Sequence, residues 1–265
     1  GQKITTFVSQ SSGSRMGWAV ANGGDFNRDG LPEMLVGGPG YNNNRGSVFL
    51  INGKNGVVLG QFDGFEDGDE QGAAIVTPGD INGDGSNDFL FGAPGFSSAS
   101  SKNCGMVRAY SGRNRQLLFE IPGEFEGQRF GESMSLIGDI DDDGVADFMV
   151  GCPDADLVLI ISSASGETIR EHRGTRGGQF GASATWLGDT NGDGINDYVI
   201  GEPFAANGSG LVHIFSGRDG NSLKVLKGDS PDGHFGSSLS SLNHGLLVGA
   251  PGVTPTGKCR LYGFP

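Results

Sequence analysis

The chain has 265 residues and a formal charge of −13, from 18 Lys and Arg against 31 Asp and Glu. That acidity excludes a binder of the phosphate backbone, which needs a basic footprint, and it disfavours docking on an anionic membrane surface. Fifty residues are Gly, with no strict every-third-residue period, so the chain is not collagenous. Seventeen Phe and many short apolar runs point instead to short strands joined by tight turns, and no run approaches the ~20 residues of a membrane span.

Taken in chain order, one pattern recurs five times. An x-Gly pair opens each copy: Met16-Gly17, Gln71-Gly72, Phe130-Gly131, Phe180-Gly181 and Phe235-Gly236. A strand-like run later ends in Gly-x-Pro, at Gly37-Gly38-Pro39, Gly92-Ala93-Pro94, Gly151-Cys152-Pro153, Gly201-Glu202-Pro203 and Gly249-Ala250-Pro251. In four copies an acidic loop lies between, beginning at Asp25, Asp80, Asp139 and Asp189. The marker Gly stands 8 residues before that Asp and the Asp 14 before the Pro, without exception. The fifth copy has lost 7 residues there, and Asn243-His244-Gly245 reads as the tight turn that replaces the loop. Rigid spacing inside a copy and variable spacing between copies mean one packed unit joined by adaptable connections.

Each copy reads as four strands. In the fourth they are expected at 182–187, 197–201, 211–216 and 222–227, with a hairpin turn at 217–220. The second strands, such as Phe89-Leu90-Phe91 and Phe148-Met149-Val150, are apolar on consecutive positions, as a strand covered on both faces should be. The expected fold is therefore all-β: a five-bladed β-propeller of four-stranded antiparallel blades, one domain over 1–265. The repeats fall at approximately 11–65, 66–124, 125–174, 175–229 and 230–265. Copy five stops after its third strand, and residues 3–8 are expected to complete it and close the ring.

The acidic loops place oxygen side chains at positions 1, 3, 5 and 9 and Gly at position 6. They hold Asp25, Asn27, Asp29 and Glu33; Asp80, Asn82, Asp84 and Asp88; Asp139, Asp141, Asp143 and Asp147; Asp189, Asn191, Asp193 and Asp197. Ca²⁺ wants six to eight hard oxygens, and the position-7 carbonyls of Leu31, Ser86, Val145 and Ile195 add one each. Position 12, where an EF-hand has its closing acid, is Val36, Phe91, Val150 or Ile200, so the closing acid is at position 9. Four Ca²⁺ sites are expected. Mg²⁺ prefers to keep its waters, and zinc or copper would want Cys or His, absent from these loops. The third loop, with four carboxylates, is expected to bind tightest.

These residues resemble the FG-GAP repeat of integrin α-subunit β-propellers and their bacterial relatives. Phe130-Gly131, Phe180-Gly181 and Phe235-Gly236 match its first marker, and Gly92-Ala93-Pro94 and Gly249-Ala250-Pro251 its second. Met16 and Gln71 depart from it, and integrin propellers have seven blades where five are counted here. The resemblance implies a non-catalytic, extracellular or cell-surface adhesion module with structural Ca²⁺ on one face. A protein or glycan ligand would sit on the opposite face, on loops 40–45, 95–103, 154–156, 204–209 and 252–258. Interblade loops 62–70 and 124–129 would join them.

Two alternatives stay open. A lectin would use Trp18, Trp186, Tyr41 and Phe204, although both Trp are expected in the core. A glycan-active enzyme would need paired carboxylates, for which Glu132, Glu202, Asp154 and Asp156 are the candidates. Cys152 takes the Ala slot of its marker and should be buried, and a Cys104–Cys152 disulfide is conceivable; Cys259 is the third cysteine. His172, His213, His234 and His244 are dispersed and read as structural or solvated. Lys227-Gly228-Asp229 reads as an interblade turn, and Asn207-Gly208-Ser209 is a sequon in a loop.

Overall fold

The computed structural model describes residues 6–9, 11–242 and 245–264. It divides into two compact units, Gly1–Glu132 and Ser133–Pro265.

The first unit holds two four-stranded antiparallel sheets in meander order. Sheet 1 is β1 (Ala19–Gly24), β2 (Glu33–Gly38), β3 (Ser47–Ile51) and β4 (Val58–Asp63). Sheet 2 is β5 (Ala74–Gly79), β6 (Asp88–Ala93), β7 (Met106–Tyr110) and β8 (Leu117–Pro122). Their core joins Leu35, Val48, Leu50 and Phe62 to Phe89, Phe91 and Tyr110. Phe62 meets Phe91 and Tyr110 edge-on, both at 5.2 Å between ring centroids, an arrangement that aromatic quadrupoles favour.

The second unit repeats the scheme. Sheet 3 is β9 (Ser133–Gly138), β10 (Asp147–Cys152), β11 (Leu157–Ile161) and β12 (Thr168–Arg173). Sheet 4 is β13 (Ser183–Gly188), β14 (Asp197–Glu202), β15 (Leu211–Phe215) and β16 (Ser222–Lys227). Sheet 5 has three strands, β17 (Ser238–Leu242), β18 (Gly245–Ala250) and β19 (Lys258–Gly263). The second strands β6, β10 and β14 are buried along their whole length, as their unbroken apolar runs require.

The two glycine markers meet main chain to main chain. Within a sheet, the x-Gly N–H donates to the carbonyl of the first Gly of Gly-x-Pro: Gly17 to Gly37, Gly72 to Gly92, Gly181 to Gly201 and Gly236 to Gly249, at 2.9–3.0 Å. Between sheets, that first Gly lies against the next marker. A Cβ on Gly37 would stand 2.1 Å from the Gly72 oxygen, one on Gly92 2.0 Å from Gly131, and one on Gly151 or Gly201 2.2 Å from Gly181 or Gly236. The first Gly of Gly-x-Pro is thus set by close backbone approach, and the marker Gly by its φ of 86–93°. Two residues before each marker the chain is left-handed although no residue there is Gly: Arg15, Glu70, Arg129, Gln179 and His234 have φ of 50–60°. In the first unit three of these side chains form a ladder, Arg15–Glu70 at 2.8 Å and Glu70–Arg129 at 3.1 Å.

Some expectations change, and others lie partly outside the described residues. Residues 3–5 of the closing strand lie outside the described residues, and Thr6–Ser9 carry no strand. Asn243 and His244 of the fifth copy's turn also lie outside them. Trp18 and Trp186 are exposed, at 62% and 44%, because Trp18 precedes β1 and Trp186 lies on β13, an edge strand with one open face. No Cys104–Cys152 disulfide forms: Cys104 is a free, buried thiol, Cys152 is buried and Cys259 is exposed. Among the described residues, no helix is long and apolar enough to cross a membrane.

Candidate metal centre

Each acidic loop joins the first and second strands of its sheet. In all four hairpins the ladder slips register beside the loop, which frees the chain to coil. The coil is then fixed by carboxylates capping amides. The position-1 acid accepts from the position-6 Gly N–H: Asp25 from Gly30, Asp80 from Gly85, Asp139 from Gly144 and Asp189 from Gly194, at 2.7–2.9 Å. Its other oxygen accepts from the position-5 N–H at 3.0–3.2 Å. Position 3 shares that position-5 N–H through Asn27, Asn82, Asp141 and Asn191. The position-5 acid accepts from the position-7 N–H at Leu31, Ser86, Val145 and Ile195.

The position-9 acids anchor the loop to the sheet. Glu33, Asp88, Asp147 and Asp197 start the second strands and are 0–1% exposed. Each accepts from the position-2 N–H, at Phe26, Ile81, Ile140 or Thr190. In sheets 2, 3 and 4 the other oxygen accepts from the hairpin joining the third and fourth strands, at Gly112, Ser163 and Gly217. That hairpin also reaches the position-5 acid, through Asn52 to Asp29, Ser111 to Asp84, Ser162 to Asp143 and Ser216 to Asp193. Sequence reasoning missed these four residues because they lie about 20 residues beyond the loop.

Position 4 was missed as well. Arg28, Gly83, Asp142 and Gly192 all have φ of 61–79°, a requirement that the Arg and Asp conceal. In the third loop, ligand atoms of Asp139, Asp141 and Asp147 lie within 4.8 Å of one another. Burial first, then the charges of Asp141 and Asp143, push the Asp147 carboxyl up to about 6, against hydrogen bonds from Ile140 and Ser163. Burial likewise raises Asp88. Acids gathered this closely, with only oxygen donors around them, fit a hard cation and do not fit a soft one.

The remaining candidates are engaged elsewhere. Glu202 is fully buried and accepts from the Thr175 N–H and from His213 at 2.8 Å. Glu132 pairs with Arg129 at 2.9 Å, and Asp156 accepts from the amides of Gly177 and Phe180. Asp229, in the expected turn, pairs with Lys258 at 3.3 Å and with Arg260. His172 bonds Tyr198 at 2.7 Å. Tyr41 packs on Phe49, Phe204 on His234.

All-β sheets of this order, joined by glycine markers and acidic hairpin loops, define a β-propeller-like repeat protein. The FG-GAP repeat profile matches residues 16–51 and 72–112. Mouse integrin alpha-8 is 33% identical over 148 residues, chicken integrin alpha-V 34% over 151, and Xenopus laevis integrin alpha-4 33% over 148; each match covers 53% of this chain. The chain thus carries FG-GAP repeats and is similar to integrin α subunits over about half its length, and it spans about one seventh, 14%, of those relatives. The crystal structure of BBS1N in complex with ARL6DN superposes with a TM-score of 0.58 at 12% identity, over 93% of this chain and 64% of that one, and so shares the fold.

Proposed function

We propose that the chain is a non-catalytic ligand-binding module of an extracellular or cell-surface adhesion protein, stabilised by Ca²⁺ in its four hairpin loops. The observation that carries the reading is the repetition of one oxygen geometry in four separate loops. Asp25, Asn27, Asp29 and Glu33, with the Leu31 carbonyl, would hold the first ion; Asp80, Asn82, Asp84, Asp88 and the Ser86 carbonyl the second. Asp139, Asp141, Asp143, Asp147 and the Val145 carbonyl would hold the third; Asp189, Asn191, Asp193, Asp197 and the Ile195 carbonyl the fourth. The ion's role is structural: it neutralises the carboxylates clustered in each hairpin. A cation bound only by the folded chain stabilises it by about 2.7 kcal/mol per site at a hundredfold excess over Kd. Excess EGTA is therefore expected to lower the melting temperature, and an unchanged melt with no metal retained by the protein would sink the proposal.

The similarity to integrin α subunits supports the adhesion role and a protein ligand on the loops 40–45, 95–103, 154–156, 204–209 and 252–258. The exposure of Trp18 and Trp186 favours a second reading, a lectin that stacks sugars on indole rings. A glycan array on the wild type and on the Trp18→Ala and Trp186→Ala variants separates the two. The engagement of Glu202 and Glu132 gives the enzyme reading no support.

We also propose that residues 3–8 supply the fourth strand of sheet 5. Phe7 stands ten residues before Gly17 as Phe62 does before Gly72, and its ring lies 5.6 Å from that of Phe49. By the register of β15 on β16, where Val212 faces Leu226, Phe7 would face Cys259. A Phe7→Cys variant is then expected to form an intramolecular disulfide under mild oxidation; its failure would refute the pairing.

A further inference from the structure

In sheets 2 and 4 the hairpin joining the third and fourth strands carries a second residue that touches the loop. Two positions after Asn52, Ser111, Ser162 and Ser216 stand Lys54, Arg113, Ala164 and Arg218. Arg113 Nη1 donates to the carbonyl of Asp84, at position 5, at 3.0 Å. Arg218 Nη2 donates to the matching carbonyl of Asp193, and its Nε lies 3.7 Å from the Asp193 carboxylate. The third hairpin has a methyl group at this place.

We propose that Lys54, Arg113 and Arg218 are built-in counter-ions that weaken cation uptake by their own loops, and that Ala164 leaves the third loop to fill first. This rests on the cation reading above. The charges around each loop set the order. Loop 3 gathers five acids, Asp139, Asp141, Asp142, Asp143 and Asp147, with no basic residue at the hairpin position. Loops 2 and 4 each gather three acids against one Arg. Loop 1 gathers three against two cations, Lys54 and Arg28. Filling therefore runs from loop 3, through loops 2 and 4, to loop 1.

An entering divalent ion meets each counter-ion as a like charge. At ~6 Å in water that repulsion is worth about tenfold in affinity, and about threefold once physiological salt screens it.

The test is a Ca²⁺ titration of the full chain by ¹⁵N NMR. The amides of Gly30, Gly85, Gly144 and Gly194, each bonded to the position-1 acid of its own loop, report the four sites separately. Gly144 is expected to move first. Arg113→Ala and Arg218→Ala should tighten loops 2 and 4 about threefold, with the gain shrinking in high salt, while Arg113→Lys retains the wild-type affinity. Ala164→Arg should weaken loop 3 by a similar factor. Arg115→Ala, whose guanidinium sits on the Leu59 carbonyl, should change no site. Simultaneous filling of all four loops, or unchanged affinities in the Arg→Ala variants, overturns the counter-ion role. Glycine signals that no Ca²⁺ concentration moves overturn the cation reading itself, and the counter-ion role with it.

Discussion

A single methyl group tests whether the repeat junction depends on close backbone approach. Ala at position 92 would place its Cβ 2.0 Å from the Gly131 oxygen, where ordinary contact begins at 3.4 Å. The two chains must separate by about 1.4 Å, and both obstacles are main chain, with no flexible side chain to swing aside. Overpacking of well-filled sites costs roughly 1–3 kcal/mol, and this one belongs at the upper end, about 3 kcal/mol. For a chain of this size that lowers Tm by about 6–12 °C. The control is Gly127→Ala, where φ is +74° and nothing lies within 4 Å of the added Cβ. It carries only left-handed strain, about 1–2 kcal/mol. Thermal melts followed by circular dichroism, in saturating Ca²⁺, should rank wild type above Gly127→Ala and Gly127→Ala above Gly92→Ala. If Gly92→Ala melts at or above Gly127→Ala, the close-approach account of the markers is wrong.

Three further outcomes are expected. Arg108 is fully buried, bonded to Glu120 at 2.9 Å, Asp69 at 3.1 Å and Gln71 at 3.0 Å, and lies 4.1 Å from the Phe65 ring. Arg108→Met strands the buried Asp69 carboxylate and should cost about 3–5 kcal/mol in urea unfolding, most of it recovered in Arg108→Met/Asp69→Leu; no recovery would refute the ion-pair account. Burial first, then the charges of Arg170 and His213, lower the His172 pKa to about 4. The unfolded chain binds that proton at the ordinary histidine value of about 6.5, so its contribution is whole above pH 6.5 and is lost as pH falls toward 4. The urea midpoint should drop over that window less steeply in His172→Gln than in wild type, and equal slopes would contradict the assignment. Arg28 holds φ at 61° where two other loops have Gly, so Arg28→Gly should gain up to about 1 kcal/mol, read from the same unfolding curves. A loss would show that its side chain matters more than its backbone.

Much of this was legible in the sequence because the repeat multiplies every signal. The fixed offsets from Gly72 to Asp80 and from Asp80 to Pro94 locate strand, loop and strand without any propensity argument. The oxygen-bearing side chains at positions 1, 3, 5 and 9 could be named because each recurs at a fixed offset in all four loops. What stayed hidden had no fixed residue type. Left-handed backbone at Arg15, Glu70 and Arg129, or at Arg28 and Asp142, leaves no mark when neighbouring contacts, not glycine, sustain it. Ser111 and Ser216 give no sign of a role in the loops from sequence, since their hydroxyls find the loop acids only after two hairpins fold together. The two Trp misled for a simpler reason: aromatic character signals burial on a central strand but not beside or on an edge strand.

The meeting of the two glycine markers bears on how such a chain is lengthened. Because each junction is made by a carbonyl resting on a Cα, it asks little of the side chains on either side, no more than the hydroxyls of Ser133 and Ser183 that donate to the Gly181 and Gly236 carbonyls. Any copy that keeps both glycines can stand next to any other, whatever its loops carry. A gene duplication that adds a copy, or a recombination that removes one, delivers a working junction at once, with no matching substitution required across it. The loops are then free to diverge copy by copy, as the third has done in charge and the fifth by losing its loop, while the seam between neighbours stays the same.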